Sequence, residues 1–96
     1  MALKPIYLGS MRRTLSIVSL LVSMKSAEFG YLVEKTGATR GNISVQIKKL
    51  EEAGYISITK SFRKNYPLTT CRITPRGIQA FEQYVDSLRD YLNRDW

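Results

Sequence analysis

Thr36-Gly37-Ala38-Thr39-Arg40-Gly41-Asn42-Ile43-Ser44-Val45-Gln46-Ile47-Lys48-Lys49-Leu50-Glu51-Glu52-Ala53-Gly54-Tyr55-Ile56 is the stretch on which the fold turns. It reads as a tight turn, then a capped helix with a narrow apolar seam, then a glycine stop that opens a strand. Thr39 is the expected N-cap and Gly54 the expected left-handed stop, so the helix covers residues 39–53. With Ile43 at zero on a wheel of about 100° per residue, Ile47 falls at about +40° and Leu50 at about −20°. These three residues form the seam. Gly41, Val45, Lys48 and Lys49 lie on the far side, Asn42 and Ser44 flank them, and Arg40 sits in the first turn. Gln46 stands at the seam's edge and fits either environment.

Upstream, Pro5 and Gly9 punctuate an N-terminal arm over residues 1–9. Ser10 is placed to cap a helix over residues 11–24, in which Leu15, Val18, Leu21 and Val22 recur at helical spacing. Ser26 and Gly37 bracket a short second helix with Phe29, Leu32 and Val33 on one face. Downstream of Gly54 the period changes. Residues 55–62 and 69–74 are rich in β-branched side chains, and residues 63–68 supply a polar loop that Tyr66-Pro67 would stiffen. Thr74 then caps a last helix with Pro75 at its first position, a favoured start.

The order helix, helix, helix, hairpin, helix predicts a mainly α fold with a β-hairpin wing (α+β). Its architecture is a winged helix-turn-helix: a three-helix core plus a long C-terminal dimerisation helix. We expect residues 1–96 to form a single domain, with the arm at 1–9, core and wing at 10–74, and the last helix at 75–96.

The charge is concentrated where this fold would present it. The chain of 96 residues carries a formal net charge of +7. Residues 39–76 hold eight basic and two acidic side chains, whereas residues 77–96 hold two basic and four acidic ones. The middle of the chain is therefore suited to a polyanion and the tail is not. A hydrophobic fraction of 44% is enough for a core and argues against a disordered basic tail.

The third helix matches duplex DNA in chemistry as well as charge. Arg40 can pair with guanine O6 and N7 or with a phosphate, Asn42 fits adenine N6 and N7, and Ser44 suits either kind of edge. Val45 has no use for water but would meet a thymine methyl. Gly41 keeps the helix slim where a groove must come close. Thr39, Lys48 and Lys49 complete the contact set, although Lys48 and Lys49 with Glu51 and Glu52, taken alone, read more readily as solvated surface pairs. Lys60, Arg63, Lys64 and Arg72, on a wing over residues 60–72, would reach the backbone or the minor groove. A charge-defended edge hairpin would also be basic.

The last helix has an apolar stripe of Ile78, Phe81, Val85, Leu88 and Leu92, widened by Tyr84, Tyr91 and Trp96. Its first half is expected to pack on its own domain. Its second half would then leave Tyr84, Leu88, Tyr91, Leu92 and Trp96 for a dimer interface, placing two reading helices on an inverted repeat.

The pattern Phe29-x-x-Leu32, Thr36-Gly37, Gly41-Asn42-Ile43-Ser44, Ile47-Lys48-Lys49-Leu50-Glu51-Glu52-Ala53-Gly54-Tyr55-Ile56 and Thr74-Pro75-Arg76-Gly77 resembles the small winged-helix transcriptional regulators of the MarR/ArsR-like superfamily. It is especially similar to their short single-domain members. The resemblance implies a sequence-specific, double-stranded-DNA-binding homodimer. Thr39, Arg40, Asn42, Ser44, Val45 and Lys49 would hold reading or phosphate positions, with Arg63 and Lys64 on the wing. Typical MarR proteins add helices that build a dimer and an effector pocket, and metal-sensing ArsR relatives carry Cys and His ligands. This chain has no histidine and one cysteine, Cys71, so no metal or cofactor is expected, and any small-molecule effector is unknown.

A different class of function, a winged-helix protein-interaction module or adaptor in transcription or RNA machinery, is the alternative. It gives no reason for cations gathered in residues 39–76. The residues of catalysis are missing: there is no histidine and no phosphate-binding glycine loop, so an enzyme is not expected. Residues 15–24 resemble a signal-peptide core but are too short to span a bilayer and are followed by a poor cleavage site. We read them as a core helix, Cys71 as a small buried hydrophobe, and the protein as cytoplasmic with no membrane partner.

Overall fold

A computed structural model describes residues 8–93, with side chains from residue 13. The elements are α1 (Leu8–Met24), β1 (Ser26–Glu28), α2 (Phe29–Thr36), α3 (Arg40–Glu52), β2 (Ile56–Arg63), β3 (Tyr66–Ile73) and α4 (Pro75–Leu92). The three strands form one antiparallel sheet in the order β1-β3-β2. Helices α1, α2 and α3 pack over its inner face. Ile17, Leu21, Leu32, Ile43 and Cys71 lie wholly inside, joined by Val18, Ile47, Leu50, Ile56 and Ile73. The seam of α3 is the one the wheel gives. Ile17, which the expected α1 seam omits, is one of its most buried residues, while Leu15 and Val22 are only half-buried.

The helix-turn-helix joint is built as its residues dictate. Gly37 takes a left-handed φ of 70° and its N–H bonds to the Val33 carbonyl at 3.0 Å, closing α2. The Thr36 hydroxyl donates to the Leu32 carbonyl at 2.7 Å. The Thr39 hydroxyl then accepts the Asn42 N–H at 3.1 Å, capping α3.

Four expectations need correction. Helix α1 starts at Leu8, so Ser10 lies within it and is not its cap, and the arm shortens; residues 1–7 lie outside the described residues. One glycine, Gly9, costs about 1 kcal/mol of helix propensity and does not stop a helix. Second, Ser26 does not begin α2. Lys25 turns the chain at φ 72°, its carbonyl accepts the Ile73 N–H at 2.9 Å, and residues 26–28 become an edge strand. Ala27, opposite Cys71, is buried by that pairing.

Third, the six-residue loop is a two-residue turn. Lys64 and Asn65 both take left-handed φ, 49° and 68°, and the strands extend to Arg63 and from Tyr66. In such a hairpin Arg63 and Tyr66 form the hydrogen-bonded closing pair. The next pair, Phe62 with Pro67, is therefore a non-bonded one, and the proline's missing N–H faces the edge that β1 leaves uncovered. Fourth, Ile78 is 38% exposed, so the root of α4 packs less than expected. Within α4 Gly77 is buried and Phe81 rests partly on the core.

Among the described residues, Gln46 and Cys71 place polar groups inside the core. Gln46 turns inward at 8% exposure, and its Oε1 accepts the Thr14 hydroxyl of α1 at 2.7 Å. Cys71 is free and fully buried; burial pushes its thiol up from 9.0 to about 11, with a smaller push from the Glu51 carboxylate. Well below pH 9 both folded and unfolded thiols are protonated and the group is neutral toward folding. Above it the unfolded chain ionises first, so stability falls as pH rises toward 11. Urea unfolding at pH 8 and pH 10.5 should show a loss on the order of 2 kcal/mol that Cys71→Ala removes. An equal loss in the variant would exclude the thiol as its source.

Candidate functional site

Three stripes divide the surface of α3. Ile43, Ile47, Leu50 and Gln46 face the core. Gly41 and Val45 stand furthest out, Val45 at 52% exposure, where an apolar branched side chain gains nothing from water. Arg40, Ser44 and Lys48 recur every fourth residue and turn toward the hairpin. They line a groove of about 740 Å³ with Phe29, Ile47 and Glu51 on one side and Ile58, Lys60 and Thr69 of the wing on the other. Phe29, Ile47 and Ile58 give the groove its apolar lining, Arg40, Lys48 and Lys60 its cations, and Glu51 is the acid among its lining residues.

The alternation of β2 and β3 sorts the wing residues. Lys60, opposite Thr69, is on the inner face with the groove. Arg63 and Arg72 are on the outer face, Arg72 between Ser26 and Ser57 at the hairpin's root, next to the buried Cys71 and Ile73. The structure therefore gathers Arg40, Ser44, Lys48 and Lys60 about one groove. Thr39, at the cap of α3, and Lys49 are exposed, Asn42 is half-buried in the first turn, Lys64 is at the tip, and Arg72 stands apart.

Two of the candidate-site arginines, Arg40 and Arg63, are engaged within the chain. The Arg40 guanidinium lies over the Phe29 ring, 4.8 Å from its centroid. An Arg63 terminal nitrogen donates to Glu28 Oε2 at 2.9 Å, both side chains remaining exposed. Sequence reasoning missed both partners. It also missed Phe62 and Tyr66, which stand 76% and 75% exposed beside the tip. Treating residues 63–68 as loop hid the place of Tyr66 in a paired strand; Phe62 was given to a strand but not to the tip of the wing.

An added Cβ at Gly41 meets open space, and its backbone is ordinary helix. The fold does not require a glycine there. Gly41→Ala should raise stability by about 0.5–1 kcal/mol in thermal unfolding. A lower midpoint in the variant would show that the helix has no room for the methyl group.

The last helix leaves Leu88, Tyr91 and Leu92 at 38%, 52% and 61% exposure, with Tyr84 half-buried; Trp96 lies outside the described residues. Among the described residues no helix is long and apolar enough to cross a membrane, and no group of three or more His, Cys, Asp or Glu could hold a metal ion.

A helix-turn-helix whose second helix faces a basic two-stranded wing across a groove defines the class: a winged helix domain. Residues 14–92 match the winged helix DNA-binding domain family, and the chain belongs to it. It is 41% identical to an uncharacterized protein of Methanocaldococcus jannaschii over 69 residues, 72% of this chain and 75% of that one. The structure of a transcriptional regulator homologue from Pyrococcus horikoshii OT3 superposes with a TM-score of 0.81 at 27% identity, covering 94% of this chain and 88% of the other. The transcriptional regulator BldR from Sulfolobus solfataricus shares the fold, with a TM-score of 0.71 at 22% identity over 92% and 72% of the two chains.

Proposed function

We propose that this protein is a cytoplasmic transcriptional regulator that binds double-stranded DNA sequence-specifically as a homodimer. Helix α3 lies in the major groove and the wing follows the backbone into the adjacent minor groove. The observation that carries the reading is the groove itself: Arg40, Ser44 and Lys48 of α3 face Lys60 of the wing, with Val45 exposed beside them. Cations there meet phosphate, while the short polar side chains and Val45 match base edges. The similarity to transcriptional regulators of the same fold supports the regulatory role.

The apolar stripe of α4 supports dimerisation through that helix. Leu88, Tyr91 and Leu92 are exposed on one helix, and two copies pairing about a two-fold axis would cover them. Sedimentation equilibrium at micromolar concentration should give a species of twice the 11.0 kDa chain mass, reverting to monomer in Leu88→Glu. A wild-type monomer rejects this assignment.

Selection of bound sequences from a random duplex pool tests the whole reading. An enriched inverted repeat is expected; a pool that stays flat rejects base reading. A second reading, a protein-contact module, draws on the exposed Phe62 and Tyr66 at the wing tip. A flat pool together with a partner whose capture fails in Phe62→Ala would favour it.

A further inference from the structure

We propose that the Glu28-Phe29 pair, at the joint of β1 and α2, is a positioning element for duplex binding. It holds one arginine of the reading helix and one of the wing. This rests on the duplex-binding reading above and adds two residues that carry no positive charge. Phe29 packs partly against the core, so its ring is a fixed platform, and both it and Arg40 line the groove. An arginine in the first turn of a helix has many rotamers. With its guanidinium 4.8 Å above the ring, it is held at the groove wall before a base arrives.

Glu28 occupies the N-cap position of α2 but makes no side-chain capping bond. Its carboxylate turns instead across the outer face of the sheet to Arg63, 35 residues away, at 2.9 Å. That contact anchors the end of β2 to the base of α2 and draws the Arg63 charge back from the wing tip. Both partners are exposed, so the pair is weak enough for a phosphate to replace the carboxylate. Adjacent residues on one backbone thus set where the reading helix and the wing each present an arginine.

The two contacts predict opposite effects. Glu28→Gln releases Arg63 to meet phosphate, so affinity for every duplex should rise roughly two- to fivefold. The plot of log K against log salt should steepen by about 0.9, one extra phosphate contact. Phe29→Leu keeps the apolar packing and loses the ring. Affinity for the selected site should fall roughly two- to fivefold, with random duplex and the salt slope unchanged.

Each effect should vanish when the arginine is already absent: Glu28→Gln in an Arg63→Ala background, and Phe29→Leu in an Arg40→Ala background. In the free protein the Nε–Hε resonance of Arg63 should move in Glu28→Gln and that of Arg40 in Phe29→Leu. Effects that persist without the arginines, or resonances that stay in place, overturn the positioning role while leaving duplex binding intact. Wild-type protein that ignores duplex at every salt concentration overturns the reading and this inference together.

Discussion

Gly77→Ala is expected to lower stability by about 3 kcal/mol, which for a domain of this size moves the thermal midpoint down by roughly 12–24 °C. The cause is a backbone junction. The Tyr55 N–H bonds to the Leu50 carbonyl at 2.9 Å as α3 ends, and the Tyr55 carbonyl accepts the Thr74 N–H at 3.0 Å as α4 begins. The Thr74 hydroxyl donates to the Gly54 carbonyl at 2.7 Å and accepts the Gly77 N–H at 3.0 Å. Helix α4 is thereby pressed against residue 55. A methyl group at Gly77 would collide with the Tyr55 carbonyl oxygen and approach Ile73 Cδ1 to 2.8 Å. Backbone on one side and core on the other leave nothing free to move. Gly41→Ala is the control, since it adds the same methyl where there is room. Equal stabilities for the two variants, measured by urea unfolding, would show that α4 can shift outward at little cost.

Arg40→Ala should lower affinity for the selected duplex by about 1–3 kcal/mol, or roughly five- to 150-fold, if its guanidinium pairs with guanine in two bonds. Loss on random duplex should be far smaller. Lys64→Ala, at the turn of the wing, should instead weaken all sequences alike and lessen the salt slope by about 1. Titrations of both variants against selected and random duplexes at several salt concentrations separate the two roles. Parallel losses for Arg40→Ala on both duplexes would make it a phosphate contact only.

The third helix was legible because several independent cues agree there. The Thr39 cap, the Ile43-Ile47-Leu50 seam and the Gly54 stop each reappear in the structure, Gly54 at φ 81°. The Thr74-Pro75 start of α4 was legible for the same reason. What escaped is what only tertiary pairing decides. Ser26-Ala27-Glu28 is too short to show an alternating pattern, and serine invites the reading of a helix cap. It becomes a strand because β3 has an open edge beside it. Lys64-Asn65 lacks the glycine that usually signals so tight a hairpin, and Pro67 argued for a loop. Pairing register gives the proline a place where its missing N–H is not needed.

The candidate site shows the same division. That α3 offers Arg40, Ser44, Val45 and Lys48 to solvent follows from helical period alone, and their exposure agrees. That Lys60 joins them while Arg72 does not depends on which face of the sheet each occupies. Strand alternation could have sorted the two, had the hairpin's register been known. The partners of Arg40 and Arg63 come from residues 28 and 29, distant in sequence from one or both arginines, and nothing local announces them.

The bond between Thr14 and Gln46 bears on how α3 is set before it meets anything. Hydrocarbon seams tolerate a few degrees of roll about the helix axis with little loss, whereas a directional contact at 2.7 Å does not. Burying one carboxamide against α1 therefore indexes the helix in rotation, the way a keyway indexes a shaft. The side chains on its outer surface keep their angular bearing in the unliganded molecule, so little ordering is left to be done on encounter.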